Sequence, residues 1–304
     1  MLPELPLDQW EKTKMTLHLI LQIMGKVRLK MTPRKNHWWY ITEYVSSKGF
    51  ITSSIPCHNG FDTFDIVLNV HKKQLEIETS FGEIKVIKLY DGLTIADFYK
   101  KFIDSLTALN INPKIVDRPF DLGIDKPFSE IMEFHHFDFE FIRRFWKTMI
   151  WVTGVFKEFS GRFYGKTCPV QIYWHHMDLA VTRFSGREGP PMDPSARLSD
   201  KDAYSHEVIS FGFWAGDPNV REPAFYSYTY PSPEDLDKTE LLPKEATWND
   251  NNGSPMAFYR YDDLLKETDP RKTLLDFLES SYQAGAKLAG WDVDKLKTKA
   301  LNEL

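Results

Sequence analysis

The chain has 304 residues, 42% apolar and 27% charged, with a net charge of −5. That is the profile of an ordinary globular protein long enough for two sub-cores, and its acidity argues against a general polyanion binder such as a bulk DNA- or RNA-binding protein. The two cysteines, Cys57 and Cys168, lie far apart with no CxxC, so they suggest neither a zinc ribbon nor a disulfide framework and fit a reducing cytoplasm.

Residues 10–30 read as an amphipathic helix with Leu17, Ile20, Leu21, Ile23, Met24 and Val27 on its apolar arc and Pro33 beyond its end. Its apolar run from Met15 to Met24 is too short to span a bilayer, and Lys26, Arg28 and Lys30 sit where a signal peptide would be cut, so it reads as a core helix. β-rich runs follow at about Trp38–Val45, Phe50–Ser54, Phe64–Val70, Leu75–Thr79 and Ile84–Lys88, separated by Gly49, Gly60, Lys72–Lys73 and Gly82. This spacing predicts an antiparallel meander. Thr94 caps a second helix carrying Ile95, Phe98, Phe102, Leu106 and Leu109, and Lys114–Val116 reads as a returning strand.

Pro113, Pro119 and Pro127 mark a connector, after which the scheme repeats. A helix over about 139–159 precedes strands at 170–174, 178–184, 206–214, 224–230 and near 257–261. The last helix is opened by Asp269–Pro270 and closed by Gly290. Residues 231–255, interrupted by Pro231, Pro233, Pro243 and Pro255, read as a long loop, either a functional lid or disordered. The expectation is an α+β protein of two similarly built halves, each with antiparallel strands flanked by helices: residues 1–117, a connector at 118–137, and 138–304. A pseudo-duplication would produce that order.

Several groups can carry chemistry. On the first helix His18, Gln22, Gly25 and Lys26 form a polar stripe opposite the apolar arc, with no acid between Glu11 and Glu43. Solvated helix faces mix Glu with Lys, so this acid-free stripe reads as either a solvated face or a pocket wall. His37 stands in Asn36-His37-Trp38-Trp39, sharing a strand face with Trp39. A second basic cluster holds Arg162, Lys166, Arg183 and Arg187. Arginines suit carboxylate or phosphate, and the alternative is ion pairing with Asp178 or Glu207.

Gly161 to Thr167 is one residue short of a phosphate-binding P-loop and leads from a helix into Pro169, so an NTPase is rejected. In Tyr204-Ser205-His206-Glu207, alternation along a strand keeps Ser205 and His206 apart. It puts His206 on a face with Val208, Ser210, Gly212 and Trp214, and Glu207 on an apolar one with Ile209, Phe211 and Phe213. A carboxylate there must be paired or have its pKa raised. The doublets His135-His136 and His175-His176 lack metal-site spacing.

The segments Asn36-His37-Trp38-Trp39, Gly165-Lys166, Thr182 to Arg187, Ala203 to Glu207 and Gly212-Phe213-Trp214 resemble a bacterial domain-of-unknown-function family of the DUF5996 type. The similarity covers nearly the whole chain, including the His18, Gln22, Gly25, Lys26 helix. It departs at Cys168, where a serine is expected, and at His175-His176, where a Gly-Ser-like pair is expected. The resemblance implies a bacterial stand-alone protein and supplies no reaction or cofactor.

The residues favour an enzyme acting on a small anionic molecule in a cleft between the halves. His206, Glu207 and His18 would be acid/base groups, with Lys26, Gln22, His37, Lys166, Arg183 and Arg187 contacting substrate. His18, Lys26, Arg183 and His206 are expected to converge on one cavity. The alternatives are a metal site of His18, His37, His206 and Glu207, and a non-catalytic small-molecule binder. Neither a nucleic-acid nor a membrane partner is expected, and no oligomeric state is indicated.

Overall fold

The computed structural model describes residues 2–251 and 253–303. α1 (Leu7–Met31) is buried on every side from Thr16 to Arg28, so the amphipathic expectation fails there: its polar stripe faces protein, as shown below. A helix apolar on one arc and polar on the other can be enclosed in this way only if each polar group meets a partner.

The first sheet comprises β1 (Tyr44–Val45), β2 (Gly49–Ile51), β3 (Ile55–Cys57), β4 (Asp62–Asn69), β5 (Gln74–Thr79) and β6 (Ile84–Lys88), in the order β1-β2-β4-β5-β6 with β3 also pairing β4. The strand expected over Trp38–Val45 contracts to two residues. His37 and Trp38 take φ of +57° and +60°, left-handed values that no strand accommodates. α2 (Ile95–Thr107) starts as expected at Thr94, whose hydroxyl accepts from the Asp97 backbone N–H. Lys114–Val116 is not a strand.

α3 (Phe139–Gly161), capped by the Asp138 carboxylate, opens the second half. The second sheet is built from β7 (Gln171–Tyr173), β8 (Asp178–Glu188), β9 (His206–Trp214), β10 (Ala224–Tyr230), β11 (Thr247–Asn251) and β12 (Ser254–Arg260). The short α4 (Leu198–Ala203) lies between β8 and β9, and α5 (Tyr261–Leu264) precedes α6 (Pro270–Leu288). The sheet order is β11-β12-β10-β9-β8-β7.

The expected loop at 231–255 is neither disordered nor a lid over the site described below. Leu236 is fully buried, the Leu242 amide donates to Ser280 of α6, the Trp248 indole donates to the Thr239 carbonyl, and β11 with the start of β12 falls inside the segment. Asn252, within that stretch, lies outside the described residues.

The fold is α+β with two similarly built halves. In each, strands leave the junction in chain order, β1-β2-β4-β5 on one side and β7-β8-β9-β10 on the other. The sheets meet where Glu43 and Ile172 pair antiparallel. The face of the sheets under α3 and α6 is the apolar one. Phe145 packs on Phe50, Phe159 on Phe211 and Phe277 on Tyr259, at ring-centroid separations of 5.9, 4.7 and 5.7 Å.

The opposite face of the second sheet is different in character. The registers put Thr182 beside Ser210 and Tyr228, Phe184 beside Val208 and Tyr230, and Tyr226 across from Gly212. The three tyrosines share one face beside β9, as expected from alternation. Gly212 is required there, since a Cβ would fall inside the Tyr226 ring. The loop around residues 34–40 from the first half reaches over this face. Among the described residues, no helix is long and apolar enough to cross a membrane.

Candidate functional site

The residues singled out in the sequence separate into three places. The first is the α1 stripe. Its His18 Nε2 lies 3.0 Å from the carbonyls of both Trp174 and His175, so it carries the proton and donates between them. Burial, with Lys14 nearby, lowers the His18 pKa to about 3, which keeps the ring neutral. Gln22 exchanges two hydrogen bonds with the Phe120 backbone, at 2.9 and 2.7 Å. Gly25 admits the Trp174 indole, which would overlap any Cβ at that position. Lys26 lies near the rings of Phe128 and Trp174, at 6.0 and 5.8 Å, and burial lowers its pKa. The stripe therefore seats the β7–β8 turn and the connector, and it is not a pocket wall.

The second place is the helix-covered face of the second sheet. Arg183 is 1% exposed and donates to the Phe159 carbonyl at 2.5 Å, with its guanidinium 3.6 Å from the Phe159 ring centre and 4.3 Å from that of Tyr282. Burial pushes its pKa down to about 10. Arg187 pairs with Glu207 at 2.7 Å and donates to the Ala289 carbonyl at the end of α6, while Trp291 also donates to Glu207. The arginine pairing weighed for Glu207 is thus the one realised. These groups fasten α6 to the sheet, and neither arginine nor Glu207 reaches a site with His206.

The expected convergence of His18, Lys26, Arg183 and His206 is overturned for that reason. The metal set of His18, His37, His206 and Glu207 fails with it, because His18 is enclosed under backbone carbonyls and Glu207 leaves the strand on the face opposite His206. Among the described residues, no group of three or more His, Cys, Asp or Glu is placed to hold a metal ion.

The third place does gather predicted residues from both halves. Lys166 Nζ lies 2.6 Å from His37 Nε2, and His37 Nδ1 lies 3.2 Å from the Asp202 carbonyl. A carbonyl only accepts, so Nδ1 carries the ring proton and Nε2 is the acceptor for the lysine. Burial first and Lys166 second hold the His37 pKa below its ordinary value, and burial, with Lys35 nearby, lowers that of Lys166. The His206 ring stands edge-on to His37 at 5.4 Å.

Ser205 Oγ donates to the Asp202 carbonyl and lies 3.2 Å from His206 Nδ1. The expected separation of Ser205 from His206 does not hold, because β9 begins at His206 and strand alternation does not extend back to Ser205. This contact directs His206 Nε2 away from Ser205 and leaves it without a partner among the described residues.

Sequence reasoning missed the walls of this site. Lys166 Nζ lies 4.6 Å from the Phe184 ring centre and 5.4 Å from that of Trp39, and Lys35 approaches Trp39 at 5.2 Å. The signal available was the pairing of His37 with Trp39, read as strand neighbours. Their rings are 5.4 Å apart, but a left-handed turn brings them together. Two successive left-handed residues cost of order 1–3 kcal/mol each. Here the turn is held by Trp38 donating to the Ser199 carbonyl and by Arg34 pairing with Asp202. The result is a cluster of an exposed Lys166, a half-buried His206 and a buried His37, with no carboxylate within ion-pair reach of the lysine among the described residues.

No curated protein and no solved structure matches the chain. A family model does match, over residues 2–298, so the chain belongs to the family of unknown function DUF5996.

Proposed function

We propose that the protein is a cytoplasmic bacterial enzyme that binds a small anionic molecule at Lys166, His37 and His206, between the two halves. One observation carries this reading. A lysine is hydrogen-bonded to a neutral histidine, beside a second histidine and a second lysine, and neither lysine has an ion pair among the described residues, the nearby Asp202 carboxylate being paired with Arg34. Such a cluster is unfavourable empty and is relieved by an anion. The rings of Trp39 and Phe184 flank the lysine and offer an apolar surface beside the charge.

The chemistry these groups support is proton transfer. Lys166 would hold the anion, and His206 Nε2, held outward by Ser205, would act as the general base. The buried free thiols Cys57 and Cys168 are compatible with a reducing compartment.

The test is a histidine titration by NMR with inorganic phosphate as the minimal probe. Phosphate should raise the pKa of His37 in the native protein, because the anion favours the charged imidazole, and binding should strengthen as pH falls through that pKa. Lys166→Met should weaken binding roughly ten- to a hundredfold, the equivalent of about 1.5–3 kcal/mol for a charge-assisted contact, with melting temperature unchanged. Histidine signals indifferent to phosphate in both proteins would reject the anion site.

A further inference from the structure

Two cavities lie away from the site described above. One of about 600 Å³ and one of about 510 Å³ share Val45, Thr153 and Lys157, and together they make a groove between α3 and the first-half strand β1 with its following turn. We propose that this groove is a second ligand site, for a small amphipathic anion with its charged group at Lys157 and its apolar body along Val45, Ile150 and Trp146.

Charge is the first support. The charged side chains lining the groove, Lys147 and Lys157, are both basic, and no acid lines it. Other charged residues of α3 are paired, Glu140 with Arg143 and Arg144, and Glu158 with Arg162 and Arg271. Lys147 lies over the Trp146 ring at 5.0 Å, whereas Lys157 has no hydrogen bond or ion pair among the described residues.

An orphaned donor is the second. Thr153 is 9% exposed and lines both cavities, and its hydroxyl has no partner among the described residues. A helical threonine usually satisfies its hydroxyl on the carbonyl one turn back, and a buried unsatisfied hydroxyl is costly. The oxygen is covered in its present rotamer, and a change of χ1 would present it to a ligand oxygen in the groove.

Gly154 is the third. It sits in the middle of α3, where glycine is destabilising relative to alanine. Neither a positive φ nor a close neighbour explains it, since a Cβ there would meet nothing within 4 Å. That open space is groove, and the volume is of the order found for small-molecule sites. The groove is separate from the His37 site. Thr167 lines it and is bridged to Arg183 on the helix-covered face, while the neighbouring Lys166 turns to the other face.

The probe is 8-anilinonaphthalene-1-sulfonate, an anion with an apolar body, followed by calorimetry and fluorescence on the full chain. The native protein should bind it saturably. Gly154→Leu, which fills the groove, and Lys157→Glu, which reverses its charge, should each weaken binding roughly tenfold or more without lowering the melting temperature, and Lys166→Met should leave it unchanged. Absence of saturable binding by the native protein, or native-strength binding in both groove variants, overturns the proposal. Sedimentation in which Gly154→Leu alone dissociates a native dimer would also overturn it, by making the groove a contact between copies of the chain.

Discussion

Glu43 and Ile172 exchange both backbone hydrogen bonds, at 3.0 and 2.7 Å, and so join the sheet of one half to the sheet of the other. At this junction the Glu43 side chain is fully buried with neither carboxylate oxygen hydrogen-bonded, and the nearby Arg28 also has an unpartnered nitrogen. Burial raises the Glu43 pKa well above 4.5, with Arg28 only partly opposing it.

A raised carboxyl pKa makes the folded state hold a proton that the unfolded state releases, so stability falls as pH rises from about 4.5 toward the folded value. Glu43→Gln should therefore flatten the decline in melting temperature above pH 5 and equal or exceed the native protein at pH 8. A glutamine variant that melts lower than the native protein at pH 8 would show that the ionised carboxylate is needed at the junction.

His18 and His175 behave in the opposite sense. Burial lowers both pKa values to about 3, so the unfolded chain binds protons that the folded one refuses, and stability is lost as pH falls from 6.5 toward 3. Each histidine contributes about 1.4 kcal/mol per pH unit over that interval. His18→Gln should reduce the steepness of acid unfolding, measured by circular dichroism from pH 7 to 4, even where it lowers stability at pH 7.

Arg183→Ala should destabilise the fold by about 3–5 kcal/mol rather than impair ligand binding selectively. It empties a fully enclosed space between Phe159 and Tyr282 and removes a donor from the Phe159 carbonyl. Arg183→Met, which keeps most of the volume and removes the buried charge, should recover more than half of the loss in urea titrations. Equal loss in the two variants would show that the charge itself is essential.

Gly25→Ala should be destabilising although alanine is the better helix former. The gain of about 1 kcal/mol in propensity is outweighed by displacing Trp174, whose indole fills the space beside Gly25. Trp174 fluorescence should shift in the variant, and an unshifted spectrum with raised stability would refute the packing.

Periodicity and punctuation in the chain were sufficient for the α+β class, the order of the helices and most strands, the caps Thr94 and Asp269, and the shared face of Tyr226, Tyr228 and Tyr230. These are local properties, carried by side-chain alternation at periods of 2 and 3.6 and by the turn and cap chemistry of single residues. Of the residues gathered at the candidate site, His37, Lys166 and His206 were among those singled out in the sequence, but their meeting was not foreseen.

What covers each face was decided by tertiary structure alone. Lys166 and Arg183 are both cationic residues of extended segments, yet α3 and α6 enclose Arg183 while Lys166 faces outward beside His37. The α1 stripe looked the same on paper whether solvent, a ligand or the Trp174-His175 turn would meet it. The left-handed pair at His37 and Trp38 contradicts the local strand preference and is held by contacts with Ser199 and Asp202, more than 160 residues along the chain. A sequence pattern states which side chains point the same way, and only the packing of distant segments determines what they meet.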